Sequence, residues 1–197
     1  MADTSPELVH YDVADRIATI TLDSPHNRNA LSRQLVTELF ERLDRADQDA
    51  DVLAVVLRSS GRVFCSGADL TEASTTPMEE GARAIVRLQR AIVALSKPVV
   101  TVVAGAARAG GIGIVAASDI VLTAEDATFA LTEVKLGLTP AVISLTVLPR
   151  LTPRAAALTA LGGEVFTGSE AVDYGLATRA VPAGQLDAAV AELCAQL

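Results

Sequence analysis

Short runs rich in valine and isoleucine alternate with stretches of helical periodicity along nearly the whole chain, and that order commits it to a mixed α/β fold. Leu8 to Val13 and Ile17 to Leu22 flank the polar pair Asp15-Arg16, which predicts a hairpin. Ser32 can cap a helix carrying Leu35, Val36, Leu39, Phe40 and Leu43 at helical spacing. Val52 to Leu57 reads as a strand, and Met78 to Leu95 as a long helix stopped by Ser96-Lys97-Pro98. The pattern then repeats: strand at Val99 to Ala104, helix at Gly110 to Ala117, strand at Asp119 to Thr123. Phe129 to Leu136 reads as short and extended, and Val142 to Leu148 and Pro153 to Leu161 as helices. A helix at Ser169 to Tyr174 ended by Gly175, a strand at Thr178 to Val181 and a helix at Gln185 to Leu197 complete the chain.

No linker or low-complexity stretch interrupts this order, so residues 1–197 are expected to form one domain. Half of the residues are hydrophobic but only 3% are aromatic, with no Trp, so the interior must be built from Ala, Val, Leu and Ile. The net charge of -8 repels nucleic-acid phosphates and anionic membrane surfaces. Apolar runs are broken by Lys97, Pro98, Arg108 or Asp119 before they reach membrane-spanning length. Two distant cysteines and an N-terminus without a signal core point to the cytoplasm. Two histidines, with no Cys/His cluster, give no metal-ligand spacing, and no separate cofactor is expected.

Two glycine-bearing segments ask for more than packing. Phe64-Cys65-Ser66-Gly67-Ala68-Asp69-Leu70 follows a strand, where glycine permits positive φ or close approach to the backbone. Ala109-Gly110-Gly111-Ile112-Gly113-Ile114 opens a helix, where each glycine costs about 1 kcal/mol relative to alanine. A small-residue helix start lets a polarised oxygen reach unpaired N–H groups. Each segment taken alone is also compatible with a turn or with tight helix–sheet packing, and the second lacks the G-x-G-x-x-G nucleotide spacing.

Together, the stretches ITLDSPHNRNALS, FCSGADL, KPVVTVVAGAARAGGIGIVAASDIVLTAED, FALTEVKLGLTP and GSEAVDYGLATRAVP resemble the crotonase (enoyl-CoA hydratase/isomerase) family in order and spacing. The resemblance implies a crotonase-like spiral of repeated ββα units, assembled as a homotrimer or hexamer and acting on an acyl-CoA thioester whose CoA is part of the substrate. It implies an oxyanion hole from the backbone N–H groups of Ala68 and Gly110. It also implies CoA contacts from the loop containing Arg28, Ala30 and Leu31, and from Ser66, Ala68, Asp69, Leu70, Gly110 and Gly111. Arg28 is the basic residue it places nearest a CoA phosphate.

Many family hydratases use two glutamates, of which Glu133 matches the second. Lying between apolar neighbours, its carboxylate is expected to have a raised pKa suited to proton transfer. The position of the first is Gly113, which transfers no proton. Ala141-Val142-Ile143-Ser144-Leu145 replaces a glycine-rich run common in the family, which is expected to reshape the acyl pocket. The helical extension usual after the last helix is missing, which is expected to expose apolar surface. The resemblance implies a hydratase, with two alternatives: a single-glutamate double-bond isomerase, or a non-catalytic acyl-CoA-binding subunit.

Overall fold

The computed structural model describes residues 6–73 and 77–197. The chain opens with an antiparallel hairpin, β1 (Val9–Ala14) and β2 (Ile17–Leu22), followed by α1 (Arg33–Gln48). Asp15 and Arg16 both take positive φ at the turn, as a two-residue loop matched to strand twist requires. Helix α1 starts where expected, because the Ser32 hydroxyl accepts the Leu35 N–H.

Three turns of a spiral follow. The first comprises β3 (Ala54–Ser59), β4 (Val63–Cys65), α2 (Leu70–Ala73) and α3 (Met78–Ala94). The second comprises β5 (Val99–Val103), β6 (Ala106–Arg108) and α4 (Gly110–Ala117). The third comprises β7 (Ile120–Ala124), β8 (Thr128–Ala130), a 3₁₀ turn (Thr132–Leu136) and α5 (Ala141–Arg150). Each turn gives its first strand to one sheet and its second strand to another. The larger sheet has the order β1-β2-β3-β5-β7-β10 and the smaller β4-β6-β8-β9. The chain closes with α6 (Pro153–Gly162), β9 (Phe166–Thr167), α7 (Gly168–Tyr174), β10 (Arg179–Val181) and α8 (Leu186–Cys194). This is the expected spiral of ββα units.

Strands β3, β5 and β7 are parallel and almost wholly buried, which accounts for their continuous apolar runs. Strand β2 alternates, with Ala18, Ile20 and Leu22 inward. All eight residues of α4 are buried, so this helix is the axis around which the others pack. Arg150 caps its far end, with Nε and an Nη donating to the Ala116 and Ser118 carbonyls at 3.1 Å each.

Two expectations need correction. Phe129 to Leu136 is not one extended segment: pairing with three-residue β6 ends at Ala130, and the chain then coils into the 3₁₀ turn closed by left-handed Gly137. The closing helix is shorter than Gln185 to Leu197, because Ala183–Gln185 forms its own 3₁₀ turn and the α-helix ends at Cys194. The smaller sheet is held by apolar packing as well as by its ladder. Phe129 is fully buried and stacks on Phe166 at 5.5 Å between ring centroids. Phe129→Ala should therefore lower unfolding free energy by about 3 to 5 kcal/mol, measured by denaturant titration.

Candidate active site

Strands β4, β6 and β8 run parallel, so their carboxyl ends emerge along one edge of the smaller sheet. Ala68 follows β4, Gly110 follows β6 and Glu133 follows β8. The carboxyl edge of a parallel sheet is where α/β folds place ligands. Gly67 lies at φ +97°, and a Cβ built there would sit 2.8 Å from the Ala109 Cβ and 3.5 Å from the Gly110 nitrogen. The two glycine segments are thus in direct backbone contact, which any larger residue at 67 would push apart. The Ala109 N–H donates to the Ala130 carbonyl at 3.2 Å, tying this turn to the strand that leads to Glu133.

The main-chain donors of Ala68 and Gly110 have no acceptor among the described residues. For Gly110 the cause is its place in the first turn of a helix. For Ala68 the cause is the parallel bridge to Leu31, in which Leu31 N–H donates to the Gly67 carbonyl at 2.8 Å and the Ala68 N–H is not used. Ala68 is exposed and Gly110 buried, so the pair spans the rim and the floor of the edge.

The loop from Asn27 to Leu31 is sewn onto the same segment. Ser66 N–H donates to the Arg28 carbonyl at 3.1 Å, and Ser66 Oγ to the Asn27 carbonyl at 3.2 Å. Asn29, left-handed and buried, accepts from Ser24 N–H at 2.6 Å and donates to the Val63 carbonyl at 2.8 Å. A Leu31 methyl lies 2.9 Å from where a Cβ on Gly110 would sit, so Leu31 forms a wall over the helix start. Ala30 is buried, whereas Arg28 is exposed, with no ion pair among the described residues.

Asp69 and Gly111 do structural work at this edge. One Asp69 oxygen accepts from Asn27 Nδ2 at 3.0 Å and the other from Thr71 N–H at 2.9 Å. Burial, the largest single influence, pushes the Asp69 pKa up, but these bonds together outweigh it and leave it below the ordinary value. Gly111 packs on Cys65, with a hypothetical Cβ only 2.7 Å from the Cys65 Cβ. Burial pushes the Cys65 thiol up to about 12 despite the Gly67 N–H donated to its sulfur, so it is a small core filler. Leu70 is largely exposed.

Glu133 sits in the 3₁₀ turn with its carbonyl accepting Leu138 N–H at 3.0 Å. Its Oε2 is buried without a hydrogen-bond partner. Burial raises its pKa above the ordinary carboxylate value, against a smaller opposing bond from its own backbone N–H. A half-buried carboxylate with a free oxygen and a raised pKa is suited to exchange a proton with a ligand.

At Gly113 the space for a side chain is already filled. A Cβ there would lie 2.7 Å from Ile143 Cγ2 and 3.2 Å from the Gln89 amide. Gln89 is buried and internally satisfied: Nε2 donates to the Ile85 and Val142 carbonyls, and Oε1 accepts the Thr146 hydroxyl at 2.6 Å. The residue absent at 113 and the larger residue at 143 are therefore two sides of one packing solution. Sequence periodicity placed Gln89 on no functional face, and the signal that could have marked it is a glutamine on the buried stripe of α3. Gly113→Ala should lower stability by about 1 to 2 kcal/mol, since overpacking exceeds the helix-propensity gain. Adding Ile143→Ala should cost less than the two single changes summed, read from a double-mutant cycle of denaturant midpoints.

Comparison with known proteins identifies the family of this fold. Residues 12–197 match the family model described as enoyl-CoA hydratase/isomerase. An enoyl-CoA hydratase of Mycobacterium tuberculosis is 34% identical over 173 residues, covering 84% of this chain and 65% of that protein. A peroxisomal Delta(3,5)-Delta(2,4)-dienoyl-CoA isomerase of Arabidopsis thaliana is 31% identical over 189 residues, covering 88% of this chain and 68% of that protein. The crystal structure of an enoyl-CoA hydratase from Mycobacterium avium superposes with a TM-score of 0.89 at 43% identity, over 98% of this chain and 76% of that one. The chain thus spans about two thirds of the length of these curated relatives. With the family model matched from residue 12 to the last residue, the chain belongs to the enoyl-CoA hydratase/isomerase family of enzymes.

Proposed function

We propose that the protein adds water to a 2-enoyl-CoA, with Glu133 as the single acid–base group and the Ala68 and Gly110 amides as the oxyanion hole. The observation that carries this reading is the half-buried Glu133 carboxylate with its unpartnered Oε2, on the edge where both free amides emerge. Glu133 takes a proton from water as the oxygen attacks C3. The C2=C3 electrons move into the thioester, giving an enolate whose oxygen accepts both amide hydrogens. The protonated Glu133 then returns its proton to C2, so that H and OH are added and the carboxylate is regenerated. Each positioned donor contributes roughly 2.7 to 4 kcal/mol to such a transition state.

The CoA portion is expected along Arg28, Ala30, Leu31, Ser66, Ala68, Asp69, Leu70, Gly110 and Gly111. Arg28 presents an exposed guanidinium for a phosphate. The exposed leucines 136, 145, 148, 158 and 161 support self-association, as in a trimer or hexamer, and the cytoplasm is the expected compartment. A second reading rests on Gly113: with one carboxylate, the same site can move a proton between C2 and C4 and so isomerise a 3-enoyl-CoA.

A product-resolved assay over a panel of 2-enoyl- and 3-enoyl-CoA esters separates the two. Loss of conjugated absorbance with a 3-hydroxyacyl product supports hydration, and gain of conjugation without one selects isomerisation. Binding of CoA esters without turnover would reject both. Glu133→Gln should lower kcat by about 10²- to 10⁴-fold. In the parent, kcat/KM should rise with pH through the raised pKa of Glu133, as the base form appears. Because the folded state holds this proton more tightly than the unfolded chain, the stability it contributes is complete below the unfolded pKa and lost as pH rises through the folded one. Glu133→Gln should therefore resist denaturant better than the parent at pH 8, with the difference closing in acid.

A further inference from the structure

Ala109 stands between the two segments proposed to hold the thioester oxygen, in a conformation that its own side chain disfavours. Its φ of 45° and ψ of -121° belong to a region that suits glycine. Three contacts hold it there. Its N–H donates to the Ala130 carbonyl at 3.2 Å, its carbonyl accepts the Ile112 N–H at 2.9 Å, and its methyl lies 2.8 Å from where a Cβ on Gly67 would be. A glycine at 109 would adopt these angles without strain, so a strained alanine calls for an offsetting role. The methyl fills the seam between the turn after β4 and the first turn of α4. The ladder and the loop fix the two segments from behind, and the methyl is the side-chain group that meets Gly67 in the seam itself.

We infer that Ala109 is a positioning residue, whose methyl, wedged against the bare Cα of Gly67, sets the separation and direction of the Ala68 and Gly110 N–H donors. It touches no substrate and acts through those amides, so this inference rests on the function proposed above. Removing the wedge leaves both donors present but frees their spacing. The loss should fall on kcat, because the enolate oxygen depends on both donors more than the bound thioester does.

Ala109→Gly and Ala109→Ser test this, the second keeping a Cβ in the seam. The readouts are kcat and KM with the best enoyl-CoA of the panel, the red shift of a bound aryl-conjugated enoyl-CoA that reports carbonyl polarisation, and the thermal midpoint. Ala109→Gly should lower kcat roughly 10- to 100-fold, as expected for misplacement at a reacting centre. KM and the midpoint should stay near the parent's, and the red shift should shrink. Ala109→Ser should keep most of the parent's kcat and red shift. An Ala109→Gly protein with the parent's kcat and red shift overturns the inference alone, as does a serine variant that falls as far as the glycine one. A fall in kcat that only tracks a lowered midpoint, with the red shift intact, also overturns it. If the parent neither turns over any enoyl-CoA nor shifts the bound chromophore, the proposed function fails and takes this inference with it.

Discussion

The candidate site depends on two stretches of main chain meeting with no more than a methyl between them. Gly67 and the Ala109-Gly110 turn are close enough that a single methyl occupies their seam. Hydrogen-bond donors on backbone are useful in catalysis because they are already oriented when charge develops, and so need no reorganisation. That benefit requires both segments to be fixed from behind. Here the fixing comes from the parallel ladder of β4, β6 and β8, from the Ala109–Ala130 bond, and from the loop from Asn27 to Leu31 stitched along Ser66 and Gly67. The larger sheet, α1 and α4 together supply most of the core, while the smaller sheet brings the candidate site's residues to one edge.

Much of this was legible in the residues, and the reason lies in how strongly each element signals itself. Strands β3, β5 and β7 are buried on both faces and so read as unbroken apolar runs; Ser32 marks the start of α1; Asp15-Arg16 marks the hairpin turn. Strands β4, β6 and β9 are two or three residues long, too short for a period to show, and so the smaller sheet was not foreseen as a sheet. The same shortness explains why the segment carrying Glu133 reads as extended when it coils directly after Ala130. Glu133 itself was found through its motif, and its burial then followed from the fold.

What the sequence left apart, the packing joins. Gly113 and the segment from Ala141 to Leu145 look like two independent departures when read along the chain. In space they are one, because Ile143 fills what a side chain at 113 would need, and the bond between Gln89 and Thr146 closes the seam behind it. The departure is therefore a coherent repacking of α3, α4 and α5, and restoring a carboxylate at 113 would mean rebuilding all three. A glycine at 113 that is compensated sterically is stable on its own terms, and it leaves Glu133 as the carboxylate on which the proposed chemistry relies.

Helix α4 brings no side chain of its own to the edge at Gly110, and the surfaces flanking that residue are lent by Leu31 and Ile85 from other elements. In the proposed reading, the amide that polarises the carbonyl and the side chains that wall it thus come from different parts of the chain. Walls of this kind can drift to admit a longer, branched or unsaturated chain while the electrophilic apparatus stays as it is. A scaffold with that separation is well placed to diversify in what it accepts without relearning how it reacts.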